Sequence, residues 1–143
     1  MASAFYWADA QAKAMGDAVN VATTGLGGAT AVLYEGTKPA NANAALGTQT
    51  TIATFALPAY SSNTVSSAGL ITLGAISSVI AANSSTPSST TLWIRVTASN
   101  GTTRILDCNA GLTGATPDAV LDTTTIIAGD TVAITAWTIQ ITE

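Results

Sequence analysis

The feature that most constrains the fold is a run of alternating side chains that is followed by a tight-turn dipeptide and a second extended run. In residues 91–98, the aliphatic side chains Leu92, Ile94 and Val96 occupy every second position, the period of a strand with one buried face. Asn100-Gly101 follows, a dipeptide that supplies the positive φ angles of a two-residue hairpin loop. Residues 103–108 would then form the second, antiparallel strand. The sequence therefore predicts an antiparallel hairpin. One face would carry Leu92, Ile94 and Val96, and the other Trp93, Arg95 and Thr97.

Other short runs rich in β-branched residues predict further strands between about residues 30 and 142. They cover residues 30–35, 50–57 and one or two strands within 68–82, and each is bounded by turn-forming residues. Residues 123–128 lead into a turn at Gly129-Asp130 and then into a long terminal strand. Along that strand Val132 and Ile134 lie on one face, whereas Trp137 and Ile139 have the opposite parity. A bulge near Ala136 would restore the phase; a strand packed on both faces is the alternative.

The first residues follow a different period, which predicts one helix over about residues 4–22. Apolar side chains recur there at spacings of three and four, and Gly25 ends the pattern. The predicted buried face consists of Phe5, Ala8, Ala12, Met15 and Val19. The triplet Phe5-Tyr6-Trp7 cannot turn all three rings to one core, so these residues either straddle helix and sheet or reach a neighbouring chain. They are the candidate interface residues.

Together these elements predict one mainly-β domain, residues 1–143, with a single N-terminal helix. Strands spaced by roughly 8–12 residues with few helices are typical of an antiparallel β-sandwich of jelly-roll or immunoglobulin-like kind. Charged residues make up only 8% of the chain, and none lies between Lys38 and Arg95. Few charges keep copies apart, so we expect much of the surface to be covered by copies of this chain or by a larger assembly.

The same composition argues against several functions. With two lysines, two arginines and a net charge of −4, no basic patch is available for nucleic acid. The N-terminus lacks a secretory signal, and no apolar run reaches the ~20 residues of a spanning helix. We therefore expect that the chain is made in a cytoplasm and does not associate with a membrane. Cys108 has no cysteine partner and is predicted to be a buried, inert thiol.

Candidate catalytic residues are few. The chain has no histidine, which removes the commonest general base and the usual triads. Hydrolysis by paired carboxylates would need two acidic residues to converge, whereas Asp118 and Asp130 follow proline and glycine in predicted turns. Asp118 and Asp122 could donate oxygens to calcium, but no EF-hand loop is present. We therefore predict no catalytic, cofactor or metal site.

The stretch after the first predicted strand, Glu35-Gly-Thr-Lys-Pro-Ala40, poses the question of a ligand loop or a turn. Pro39 cannot donate to a sheet, and the residue before a proline is pushed toward extended geometry. Apart from Glu35 and Lys38 no polar groups converge here. We interpret it as the point where a strand leaves the sheet for a surface excursion that ends near Thr50.

Several short motifs resemble those of small virion structural proteins of tailed bacteriophages, among them capsid decoration (cement) proteins. They are Tyr34-Glu-Gly-Thr-Lys-Pro-Ala40, Trp93-Ile-Arg-Val96, Asn100-Gly-Thr-Thr103 and Thr124-Thr-Ile-Ile-Ala-Gly-Asp-Thr-Val132, after a short N-terminal helix. The likeness covers nearly the whole chain and is weakest at residues 58–90. It implies a β-sandwich present in many copies per virion, without catalytic residues.

The function that this resemblance implies is non-enzymatic stabilisation of an assembled phage shell. The partners would be the major capsid protein and copies of the chain itself, as a homotrimer, and the location would be the virion. A tail, collar or fibre component, or a receptor-binding module, is the alternative, since a sandwich serves equally well there. We expect faces within residues 58–90, with some of Phe5, Tyr6 and Trp7, to form the contacts, so that Trp7→Ala weakens assembly.

Overall fold

In the computed structural model, the described residues are 9–67, 69–87, 89–113 and 118–140. They contain the helix α1 (Asp9–Val19), a 3-10 turn (Tyr60–Ser62) and ten strands. The strands are β1 (Thr30–Glu35), β2 (Thr50–Ala56), β3 (Thr64–Val65), β4 (Leu70–Thr72), β5 (Val79–Ile80), β6 (Leu92–Thr97), β7 (Arg104–Gly111), β8 (Ala119–Leu121), β9 (Thr131–Val132) and β10 (Ile134–Gln140). The helix is too short to cross a membrane, and no other helix of the described residues could do so. The prediction of a mainly-β chain with one N-terminal helix is confirmed.

Eight strands form one sheet in the order β2-β1-β6-β7-β8-β10-β4-β3, and β5 pairs with β9 in a separate ribbon. The sheet is mixed and not wholly antiparallel as predicted, because β7 and β8 run parallel. That pairing involves only Ala110 with Ala119 and Gly111 with Val120. The parallel pairing is thus confined to two residues of each strand.

One hydrophobic core is shared by both halves of the sheet. Phe55 of the edge strand β2 and Ile71 of β4, near the opposite edge, belong to the same buried cluster, as does Trp137 of β10. The sheet must therefore curve around this cluster. The free edge of β2 is covered where the backbone N–H groups of Ala82 and Asn83 donate to the carbonyl oxygen of Ile52. Covering an edge in this way prevents uncontrolled strand addition.

The predicted hairpin is confirmed as β6 and β7, with a longer loop than expected. Ala98 donates its N–H to the carbonyl of Thr103, so residues 99–102 form a four-residue loop and not a two-residue one. Gly101 of the Asn-Gly pair lies in the left-handed region, at φ 74°. The Asn100 side chain instead accepts hydrogen bonds from the N–H groups of Thr102 and Thr103. Because the Asn100 side chain satisfies these two backbone N–H groups, the longer loop needs no two-residue turn to pair them.

The predicted bulge in the terminal strand is also confirmed. Ile134 pairs with Leu121 and Ala136 with Val120, which leaves Thr135 as the extra residue. As a result Val132, Ile134 and Trp137 are all buried despite their different parity. The single long strand is interrupted at Ala133, between β9 and β10. The sequence reading also missed β8, a three-residue strand too short to show a period.

The helix differs from its prediction at its C-terminal end and in its buried face. It ends at Val19 and not near residue 22, while its predicted start at residue 4 lies outside the described residues. Met15 was expected in the core but is 38% exposed, and Gly16 is buried instead. A Cβ at Gly16 would lie 2.6 Å from Cγ1 of Val65. The missing side chain lets the helix approach β3 more closely than any larger residue would allow.

Candidate functional site

Three strand ends meet at one end of the sheet and form the most distinctive surface feature of the chain. β1 and β6 are antiparallel, as are β6 and β7, so the last residues of β1 and β7 lie beside the first residues of β6. Gly36 leaves β1 here and remains attached to the sheet by donating its N–H to the carbonyl of Thr91. The loops that leave these strand ends therefore converge.

Next to this end, the outer face of β1, β6 and β7 is polar but buried. The ring of Tyr34 stacks on that of Trp93, with centroids 4.8 Å apart and planes inclined by 23°. The guanidinium carbon of Arg95 lies 5.5 Å from the Trp93 ring centroid, within the range of a cation–π contact. The predicted second face of the hairpin thus faces away from the core yet is covered, because aromatic and charged side chains shield one another.

Arg95 and Asp107 form a bidentate ion pair on this face. Nε and Nη2 of Arg95 donate to the two carboxylate oxygens of Asp107 over 2.8 and 2.7 Å. Both side chains are only 4% exposed. Hydrogen bonding to Asp107 raises the pKa of the Arg95 guanidinium, which outweighs the opposing effect of burial. The geometry matches the planar fork that makes arginine–carboxylate pairs strong.

The ion pair also holds the loop of residues 36–49, the excursion predicted between the first two strands. Nη1 of Arg95 donates to the carbonyl of Ala44 over 3.0 Å, and Nη1 of Arg104 donates to that of Asn43 over 2.8 Å. Within the loop, the Asn41 side chain accepts from the N–H groups of Asn43 and Ala44. The loop is therefore built and anchored, and its interpretation as a departure from the sheet agrees with the structure.

Between these converging loops lies an open groove with a volume of about 740 Å³. We call it the Trp93 groove. Its walls combine hydroxyl groups, one amide, one ammonium group and a few apolar side chains. They are Gly36, Thr37, Lys38, Ser89, Thr90, Thr91, Leu92, Trp93, Asn109, Ala110, Gly111, Leu112 and Thr124.

Trp93 lacks a hydrogen-bond partner for its indole nitrogen. The side chain is 1% exposed, and its Nε1–H meets no acceptor among the residues that the structure describes. Leaving a buried donor unpaired costs on the order of 1–3 kcal/mol. The buried indole Nε1–H of Trp137 likewise has no acceptor among the described residues. Trp137 lines a groove of about 400 Å³ between residues 73–76 and 134–137. That second groove is lined mainly by apolar side chains.

Glu35 ends β1 at the edge of this region and accepts hydrogen bonds across the groove end. The N–H of Thr86 donates to both of its carboxylate oxygens, over 3.0 and 3.1 Å. Burial alone would raise the pKa of Glu35, but hydrogen bonds from Ser89 and Thr86 together lower it below the ordinary value. Glu35 therefore connects β1 to the segment that precedes β6, and its charge is stabilised by protein donors.

Cys108 lies in the core on the inward face of β7, as predicted. It is 7% exposed and pairs across the sheet with Ile94. Burial raises the pKa of its thiol well above the ordinary range, and the nearby Asp118 acts in the same direction. Thiolate chemistry depends on the deprotonated form, so this environment suppresses it.

The carboxylates considered for calcium bind protein backbone instead. Asp118 accepts the N–H of Asn109 over 2.9 Å, and Asp122 accepts that of Ala133 over 3.0 Å. No group of three or more potential metal ligands is found among the described residues. Each of these aspartates thus has a local structural role at a strand end.

The candidate interface residues Phe5, Tyr6 and Trp7 lie outside the described residues. Within residues 58–90, the other predicted contact region, two large apolar side chains are prominent at the surface: Tyr60 is 51% exposed and Ile80 63%. Sequence reasoning missed the Trp93 groove, because it is assembled from four separated segments. The strand order that brings Lys38 and Asn109 to the same end of the sheet is set by the tertiary structure and leaves no signal in the sequence.

Comparison with protein-family models, with curated proteins and with solved structures finds no significant match for this chain.

Proposed function

We propose that this chain is a non-enzymatic structural protein of a tailed-phage virion, a decoration subunit that binds the assembled capsid. The observation that carries the proposal is a surface segment without charge: residues 39–94 contain no charged side chain, yet Tyr60 and Ile80 stand exposed within it. Large apolar side chains without surrounding charges favour burial against another protein. The sequence resemblance to phage virion proteins supports the same role.

The architecture proposed with this function is a β-sandwich of jelly-roll or immunoglobulin-like kind. In it β2, β1, β6 and β7 form one layer and β8, β10, β4 and β3 the other, joined where β7 meets β8. The common buried cluster supports two facing layers. A rigid sandwich suits a cement protein, since it offers preformed faces and loses little conformational entropy on binding.

A decoration protein of this kind acts by mass action. It binds the assembled shell and not the free capsid subunits, and so it stabilises the assembled state. The partners are the major capsid protein and, in a homotrimer, copies of the chain itself. Many identical contacts around symmetry axes allow each one to be modest in affinity.

The proposal is tested by measuring the mass of the purified chain by light scattering, alone and after mixing with empty shells. We expect a trimer in solution or a shell-bound population. The double variant Tyr60→Ser/Ile80→Ser should weaken the affinity for shells by at least about tenfold, the loss expected when roughly 1.4 kcal/mol of apolar contact is removed. Leu112→Ser is the matched control, because Leu112 is also 43% exposed but lies outside the uncharged residues 39–94.

A monomer that does not bind shells would overturn the decoration role and favour the tail, collar, fibre or receptor-binding alternative. Unchanged affinity of the double variant for shells, with an intact unfolding transition, would refute the contact face. If Leu112→Ser lost affinity for shells equally, the effect would have to come from general destabilisation.

A further inference from the structure

Two side chains that line the Trp93 groove, those of Lys38 and Trp93, carry hydrogen-bond donors without an acceptor among the described residues. One is the buried Nε1–H of Trp93. The other is the exposed ammonium group of Lys38, for which the described part of the chain provides neither a carboxylate nor a hydrogen-bond acceptor. The other cations are engaged: Lys13 with Asp17, and Arg95 and Arg104 with the acceptors described above. The Trp93 donor lies beneath the surface, whereas the ammonium group of Lys38 is the charge that the groove presents to a ligand.

Hydroxyl and amide groups surround these donors. Thr37, Ser89, Thr91 and Thr124 line the groove, and Asn109 adds an amide that can both donate and accept. The pocket volume of about 740 Å³ falls within the range that holds small ligands. The hydroxyls of Ser89 and Thr91 already contact each other. A purely apolar ligand would offer no partner to Thr37, Thr124 or the Asn109 amide, so the lining favours a ligand that carries many hydroxyl groups.

The charge distribution restricts the ligand further. Lys38 is the only cation among the lining residues, which is too little positive charge for a phosphate chain or nucleic acid. Glu35 and Asp118 lie close by, but their oxygens accept backbone N–H groups of Thr86 and Asn109. One carboxylate on the ligand would pair with Lys38 without crowding the carboxylates of Glu35 and Asp118. The exposed Leu112, at 43%, provides an apolar contact for the carbon face of a sugar ring.

From these contacts we infer that the Trp93 groove binds an acidic saccharide, a short glycan whose sugar rings carry a carboxylate. Lys38 pairs with the carboxylate, and the threonine hydroxyls and Asn109 bind the ring hydroxyls. The inference does not depend on capsid binding, because the groove belongs to the isolated chain.

The experiment uses the isolated protein with trigalacturonate as probe and its methyl ester as the uncharged counterpart. The indole N–H signals are followed by nuclear magnetic resonance, and the signal of Trp93 is identified by its loss in Trp93→Phe. We expect trigalacturonate to shift the Trp93 signal saturably, with a Kd below about 10 mM, and the ester to bind more weakly. Lys38→Gln should weaken binding by about tenfold, and the control Lys13→Gln should not.

The inference is overturned if trigalacturonate causes no saturable shift up to about 10 mM. Equal binding of the ester, or unchanged binding to Lys38→Gln, refutes the carboxylate contact and with it the acidic class. Since Lys38 and Lys13 are both exposed, neither substitution endangers the fold. Failure of shell binding would leave these results unaffected, so the two proposals fail separately.

Discussion

Removal of Asp107 tests how the covered outer face is held together. In Asp107→Ala the guanidinium of Arg95, 4% exposed, keeps its charge but loses both hydrogen bonds to the carboxylate. Leaving one member of a buried pair without its partner costs about 3–5 kcal/mol. A domain of this size has a free energy of unfolding of roughly 5–15 kcal/mol, so a large share would be lost. The midpoint of thermal unfolding should fall by about 10–15 °C.

The free energy of unfolding is measured by urea titration, with tryptophan fluorescence as the signal because Trp93 lies against the pair. The matched control is Asp17→Ala, which breaks the Lys13–Asp17 pair, where both side chains are about half exposed. Exposed pairs of this kind contribute only about 0.3–0.5 kcal/mol.

A second variant separates the ion pair from simple loss of packing. Replacing both partners with apolar residues of similar volume, Arg95→Met and Asp107→Leu, leaves no charge buried. It should therefore be less destabilised than Asp107→Ala alone, although the carbonyl of Ala44 loses its donor. If Asp107→Ala cost no more than Asp17→Ala, or if the double variant were the less stable of the two, the reasoning about this buried charge would be wrong.

Two further predictions concern the helix and the groove end. Gly16→Ala should destabilise the protein, because the added Cβ would lie 2.6 Å from Val65. This clash outweighs the helix propensity of alanine, which exceeds that of glycine by about 1 kcal/mol. The control Gly47→Ala, whose nearest contact is 3.7 Å, should be near neutral in the same urea titration. Glu35 has a lowered pKa in the folded chain, so its contribution to stability is present above its unfolded pKa of about 4.5 and is lost as the pH falls through the folded value. Glu35→Gln should therefore flatten the dependence of unfolding free energy on pH in this acidic range, and an unchanged slope would contradict the assignment.

The local elements could be derived from the sequence because their causes are local. The alternation in residues 91–98 and the Asn100-Gly101 turn are properties of neighbouring residues, and they produced β6, β7 and their hairpin. The bulge at Thr135 was also foreseen, since a change of parity along one strand can be detected without knowing its partner. The loop length, by contrast, depended on where the Asn100 side chain found its hydrogen bonds.

Only the tertiary structure decided which strands are neighbours, and hence where functional groups meet. Met15 is exposed and Gly16 buried because the helix had to fit against β3, a contact that the helical period alone cannot specify. The Trp93 groove exists because the ends of β1, β6 and β7 coincide, which brings Lys38 and Asn109 to one wall although they are far apart in sequence. Period and turn chemistry act over a few residues, whereas strand order results from burying one core, and that burial involves the whole chain at once.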